Sequence, residues 1–128
     1  MASTYPGVEF PPYGDYQADC PARLAMDLFG NSWLPVIVYA LREGPMRPGD
    51  LQTEIGGISQ KMLTQTLRRM QAMALVERRR YAEAPPRVEY ELTPAGRDLL
   101  GPLYALGAWV EQHGETVRAA MAASGEEE

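Results

Sequence analysis

Between Ser59 and Ala74 the chain carries glutamines, threonines, a lysine and arginines, and not one acid. On a helical wheel at about 100° per residue, Met62, Leu63, Thr66, Leu67 and Met70 gather within roughly 80° of one direction. Gln60, Lys61, Thr64, Gln65, Arg68 and Gln71 fall on the other side. That outward set has a common chemistry. A glutamine amide bonds bidentately to adenine, arginine and lysine bond to guanine, and a threonine methyl can touch a thymine methyl. A helix that was merely solvated would mix charge signs. The wheel alone would suit an ordinary amphipathic surface helix, so its neighbours must decide.

The next cluster is Arg78-Arg79-Arg80, with Arg87 a few residues on. Alternation along a strand puts Arg78 and Arg80 on one face and Arg79 on the other. Guanidinium groups on a hairpin can lie along phosphates or enter a minor groove. They can equally pair with Glu77, Glu89 and Glu91 on the hairpin itself. Both uses are expected, with Arg80 and Arg87 the better DNA candidates because they flank the tip. Other chemistry is scarce. One histidine and one cysteine leave little for acid–base or metal work, and no cysteine-based zinc site or internal disulfide is available. There is no glycine-rich phosphate loop or nucleophile elbow, so neither catalytic residues, a metal nor a cofactor is expected.

These residues need elements to hold them. A first helix is expected from Asp19 or Cys20, with Pro21 in its first turn, to Phe29 before Gly30-Asn31. Ser32 is placed to cap a second helix with Trp33, Val36, Ile37, Ala40 and Leu41 on one apolar face, ended by Gly44-Pro45. A short helix from Asp50 to Ile55 turns in Leu51 and Ile55 and stops at Gly56-Gly57, after which Ser59 caps the long helix. Short helix, glycine turn and longer helix outline a helix-turn-helix. Strands at Leu75 to Tyr81 and Arg87 to Leu92, joined through Ala82 to Pro86, add a wing. Thr93-Pro94 opens the last helix. Along it Leu99, Leu103, Leu106, Val110, His113 and Val117 are spaced 4, 3, 4, 3, 4, the seam of two packed helices. No other helix in the chain has comparable length, so the seam is expected to meet a symmetry mate, with His113 as an interface residue.

Residues 1–18, with Tyr5-Pro6-Gly7 and Phe10-Pro11-Pro12-Tyr13-Gly14, show no helical or strand period and read as an extended arm that either packs on a partner or stays loose. Residues 19–122 form the folded unit, and 123–128 an acidic, disordered tail. The chain has 128 residues, 45% hydrophobic and 23% charged, which suits one ordinary domain. Its longest apolar run, Leu34 to Leu41, is too short to span a bilayer, and no basic residue precedes Arg23 as a secretory signal would require. A cytoplasmic location without a membrane partner follows as an expectation. Net charge is −5. Within residues 59–90, however, Lys61, Arg68, Arg69, Arg78, Arg79, Arg80 and Arg87 stand against Glu77, Glu83 and Glu89, a local +4 that leaves −9 for the rest. A basic middle in an acidic body attracts a polyanion on one side only.

Three segments, CPARLAMDLFGNSWLPVIVYAL from Cys20, GISQKMLTQTLRRM from Gly57 and PPRVEYELTPAGRDLL from Pro85, resemble the HxlR-type family of winged helix-turn-helix regulators, a branch related to MarR-type regulators. The resemblance covers about residues 20–110. It implies a cytoplasmic homodimer on a dyad-symmetric operator, a recognition helix beginning at Ser59, and a wing around Pro85-Pro86-Arg87. It also implies a cysteine at the position of Cys20, which in some members senses electrophiles or oxidants. A thiol at a helix start is acidified by the dipole, and Asp19 opposes this, so a sensing role and a packing role both stand. The sequence departs from the family pattern at Asn31-Ser32, where Gly-Lys is usual, and at Met73-Ala74, where Asp-Gly is common.

The expected fold is mainly α with a small β-hairpin: a winged helix-turn-helix with a C-terminal dimerisation helix. The expected function is that of a non-enzymatic, homodimeric regulator of transcription, a repressor, on double-stranded DNA with an inverted repeat. Ser59, Gln60, Lys61, Thr64, Gln65, Arg68, Arg80 and Arg87 would touch DNA, and Cys20 would serve a small-molecule or electrophile effector. The alternative is a winged-helix protein–protein adaptor with no sequence-specific DNA binding.

Overall fold

The computed structural model of the chain describes residues 3–5, 8–10, 21–30 and 33–125. Two short strands, β1 (Ser3–Tyr5) and β2 (Val8–Phe10), pair antiparallel, so part of the segment read as an unpaired arm is a small hairpin. Helices α1 (Pro21–Gly30), α2 (Leu34–Ala40), α3 (Pro48–Ile55) and α4 (Gln60–Ala72) follow, then strands β3 (Val76–Tyr81) and β4 (Arg87–Leu92), then α5 (Pro94–Asp98) and α6 (Leu100–Ser124). This is mostly helix with a two-stranded wing, as expected. Asp19, Cys20 and Ser32 lie outside the described residues.

The core joins α2, α3, α4 and the base of the wing. Leu34, Ile37, Val38, Leu41, Leu51, Leu63, Leu67 and Met70 are at most 1% exposed, and each contributes about 1.5–3 kcal/mol by leaving water. The facing expected of α2 is corrected here. α2 buries Leu34 and Val38 along with Ile37 and Leu41, while Val36 is 39% exposed. Its sequence, LPVIVYA, is apolar almost all round, so a wheel has no single answer and packing chooses the rotation. Trp33 is the N-cap of α2 and makes no side-chain cap.

The helix-turn-helix is closed by local chemistry. Gly56 and Gly57 take φ of 68° and 75°, a region that suits glycine. The Gln52 side chain donates to the Ile58 carbonyl (3.3 Å), pinning the turn to α3. Ser59 Oγ accepts from the Met62 N–H (3.0 Å), the expected cap. At its far end α4 finishes in a Schellman motif: Leu75 N–H reaches the Met70 carbonyl (2.9 Å) and Ala74 N–H reaches that of Gln71 (3.0 Å). Ala74 therefore adopts φ of 59°, where glycine is the usual residue.

The wing grows directly from that cap. Thr93 Oγ1 donates to the Ala74 carbonyl (2.7 Å) and accepts from Gly96 N–H (3.1 Å), so one side chain ties the α4–β3 turn to the start of α5. Gly96 sits so close to the Leu75 carbonyl that a Cβ there would collide with it. β3 and β4 pair from Val76↔Leu92 to Tyr81↔Arg87, and Met46 adds a bridge to Tyr90 through two 2.9 Å bonds. The expected single last helix is broken at Leu99 into α5 and α6. α6 runs through Ala123 and Ser124 to Gly125 (φ 82°), past the boundary expected at 122.

Candidate nucleic-acid interface

α4 presents the expected face. Ser59, Gln60, Lys61, Gln65 and Arg68 are exposed, and Thr64 is half-buried at the margin. Leu63, Thr66, Leu67 and Met70 are buried beneath them; Thr66 satisfies its hydroxyl by donating to the Met62 carbonyl (2.8 Å). Met62 was expected inside and is 38% exposed. It sits at the edge of the apolar arc, where the neighbouring elements, not the wheel, decide burial. Arg69, left out of the expected face, is also exposed. Among the described residues, Lys61, Arg68 and Arg69 have no acidic partner, so the face keeps its full positive charge.

On the wing, strand register sorts the arginines. Arg79 bonds Glu91 at 2.7 Å and lies 3.8 Å from Glu77. A hydrogen bond with Tyr81, and then the charge of Glu91, raise its pKa above the ordinary arginine value. Arg87 lies 3.4 Å from Glu83 and 3.6 Å from Glu89, with its guanidinium 4.3 Å from the centre of the Tyr81 ring. Its buried Nε has no hydrogen bond, since 3.6 Å is an ion-pair distance only. Arg87 is thus drawn into the hairpin's own charge network. Arg78 and Arg80 are exposed and have no ion pair among the described residues. Arg80 stands as expected. Arg78 lies farther from the tip but shares Arg80's face, and it is equally open.

α6 offers a different surface. Leu99 and Leu103 are half-buried against the domain's own core, so the first two seam positions are already used. Leu106, Val110 and Val117 are 52%, 39% and 39% exposed. His113 is exposed and leans on Trp109, ring centres 5.1 Å apart. Beside the seam, a groove of about 570 Å³ separates α2 from α6, with Pro35, Val36 and Tyr39 facing Leu103, Tyr104 and Gly107. Tyr39 and Tyr104 meet edge to face across it at 6.2 Å. No helix among the described residues is long and apolar enough to cross a membrane.

Known proteins share this arrangement. An uncharacterized HTH-type transcriptional regulator of Methanothermobacter thermautotrophicus is 34% identical over 110 residues, covering 86% of this chain and 84% of its own. The reduced transcriptional regulator YodB of Bacillus subtilis superposes with a TM-score of 0.66 at 35% identity, over 73% of this chain and 92% of its own. The oxidized redox regulator HypR gives 0.68 at 33% identity, over 73% and 96%. The family model for the HxlR-like helix-turn-helix matches residues 28–118. The chain belongs to the HxlR-like helix-turn-helix family and is a transcriptional regulator, not an enzyme.

Proposed function

We propose that this regulator binds DNA sequence-specifically as a homodimer on an inverted repeat and represses transcription there. The observation that carries the reading is the acid-free exposed face of α4, capped by Ser59 and flanked by the uncompensated Arg78 and Arg80. In this reading Gln60, Thr64 and Gln65 read bases, while Lys61, Arg68 and the wing arginines hold phosphate. Arg87 acts by shaping the wing tip through its glutamate pairs. The dimer forms along α6 through Leu106, Val110, His113 and Val117, with residues 1–18 as an arm helping to cover it. Leu99 and Leu103 support the seam from within the domain. A two-fold axis of this kind sets paired recognition helices about one DNA turn, roughly 34 Å, apart. Such a protein works where the chromosome is, in the cytoplasm.

Fluorescence anisotropy against DNA upstream of its own gene tests the reading. Nanomolar, sequence-selective and strongly salt-dependent binding is expected. Binding that ignores sequence, together with capture of an acidic protein partner, would favour the adaptor reading instead.

The redox-regulator neighbours support an effector response through Cys20. Because it is the only cysteine, a switch must use an adduct, a mixed disulfide with a small thiol, or a bond between subunits. Diamide treatment should lower operator affinity of the wild type and leave Cys20→Ser unchanged. Equal responses from the two proteins would remove Cys20 from the mechanism.

A further inference from the structure

We propose that the groove between α2 and α6 is a binding site for a small organic cation with an apolar, aromatic body. That the groove stays open in the assembled protein rests on the proposed pairing along α6.

At about 570 Å³ the groove has the size of a small-molecule site. Val36 and Tyr39 of α2 face Leu103, Tyr104 and Gly107 of α6 across it. Val36, Tyr39 and Tyr104 are 39%, 47% and 52% exposed, so the described residues leave this apolar surface in water. On a helical wheel the groove side of α6 lies about 120° from the strip of Leu106, Val110, His113 and Val117. Pairing along that strip therefore covers a different side of the helix and leaves the groove to another occupant.

The charge of that occupant follows from three observations. Glu111 is the one charged side chain among the described lining residues, is exposed, and has no ion pair among the described residues. The chain outside residues 59–90 carries −9, so the field around the groove draws cations and repels anions. The tyrosines add ring faces. Tyr39 and Tyr104 meet edge to face at 6.2 Å, which uses one face of the four. Arg42, which does not line the groove, uses another, its guanidinium 3.9 Å from the centre of the Tyr39 ring. Two faces remain, and the negative face of an aromatic ring attracts a cation. An aromatic acid would instead meet Glu111 with its own charge.

The test uses the full-length chain without DNA and a matched pair of probes, tetraphenylphosphonium and tetraphenylborate, alike in size and shape and opposite in charge. Calorimetric titration should give the phosphonium a Kd on the order of 10 µM. The borate should bind about tenfold more weakly. Glu111→Gln should weaken the phosphonium about threefold, the value of an exposed ion pair, and narrow the gap between the probes. Tyr104→Ala should weaken it about fivefold or more. Gly107→Leu should abolish binding by filling the groove while melting no lower than the wild type, because a Cβ at Gly107 meets nothing within 4 Å. Equal affinity for the two probes, or phosphonium binding that survives in Gly107→Leu, overturns the assignment. Phosphonium binding that dissociates a dimer would give the groove to the second copy and overturn it as well. Since no DNA is present, failure here leaves the DNA-binding reading intact, and failure of that reading leaves the cation site standing.

Discussion

α4 buries one side in the core, whereas α6 leans on that core only through half-buried Leu100 and Leu103 at its start, and the two helices differ in what the rest of their surface is made of. α4 has 13 residues, four of them buried, and both ends closed by named bonds: the Ser59 cap and the Schellman turn at Ala74. Its outer side is amide, hydroxyl and uncompensated cation. α6 has 25 residues, of which only Gly114 is buried, and its outer side carries Tyr104, Leu106, Trp109, Val110 and Val117 at 39–52% exposure. A helix whose inner face is saturated can leave a polar, charged outer face to a polyanion. A helix with this much apolar surface in water is stabilised by covering it, and a second copy of the same helix has the matching surface. Under the proposed function, the contrast separates reading from pairing along the chain.

The contrast is broken most directly in stability. Leu67→Ala removes a buried side chain and should cost about 2–5 kcal/mol in chemical denaturation, whereas Leu106→Ala, measured on dilute protein, should stay within about 0.5 kcal/mol. Comparable losses would show that α6 is as much a part of the domain core as α4. The complementary variant, Leu106→Glu with Val110→Glu, sets like charges against each other across the two-fold axis and should sediment as a folded monomer. An unchanged dimer would move the interface elsewhere.

The next effect lies within α4. Gln65→Ala should cost about 1–3 kcal/mol at particular base pairs and little at others. Arg68→Ala should weaken all sequences alike and flatten the salt dependence by about one unit of slope. If the two variants behaved alike, the division between readout and phosphate contact would fail.

The smallest effect tests the joint between α4 and the wing. An alanine in the left-handed region costs about 1–2 kcal/mol, and glycine's greater freedom when unfolded takes back roughly 0.4–1 kcal/mol. Ala74→Gly should therefore raise stability by up to about 1.6 kcal/mol, read as a higher Tm with unchanged DNA affinity. A lower Tm would mean that the Ala74 methyl contributes packing that outweighs its strain.

Much of this was legible in the residues. Gly56-Gly57, Ser59 and Thr93-Pro94 mark element ends because turns and caps depend on neighbours one to four positions away, and each end fell where those signals put it. The acid-free outer face of α4 needed only a period of about 3.6. The seam on α6 was equally visible, although not that its first two positions lean on the domain's own core. The small β1–β2 hairpin escaped notice because strands of three residues carry too little alternation to detect.

Local order along the chain, then, was determined by the sequence itself: where helices begin, where they stop, and which broad face is polar. Tertiary structure alone decided the rest. It turned Val36 and Met62 outward, since residues at the edge of an apolar arc are buried or exposed by whatever packs beside them. It also sorted four wing arginines into two that are paired and two that are open. The Arg79–Glu91 pair needs cross-strand register, and Arg87's pairs with Glu83 and Glu89 need the fold of the tip and particular rotamers, none of which a string of residues specifies until the hairpin has formed.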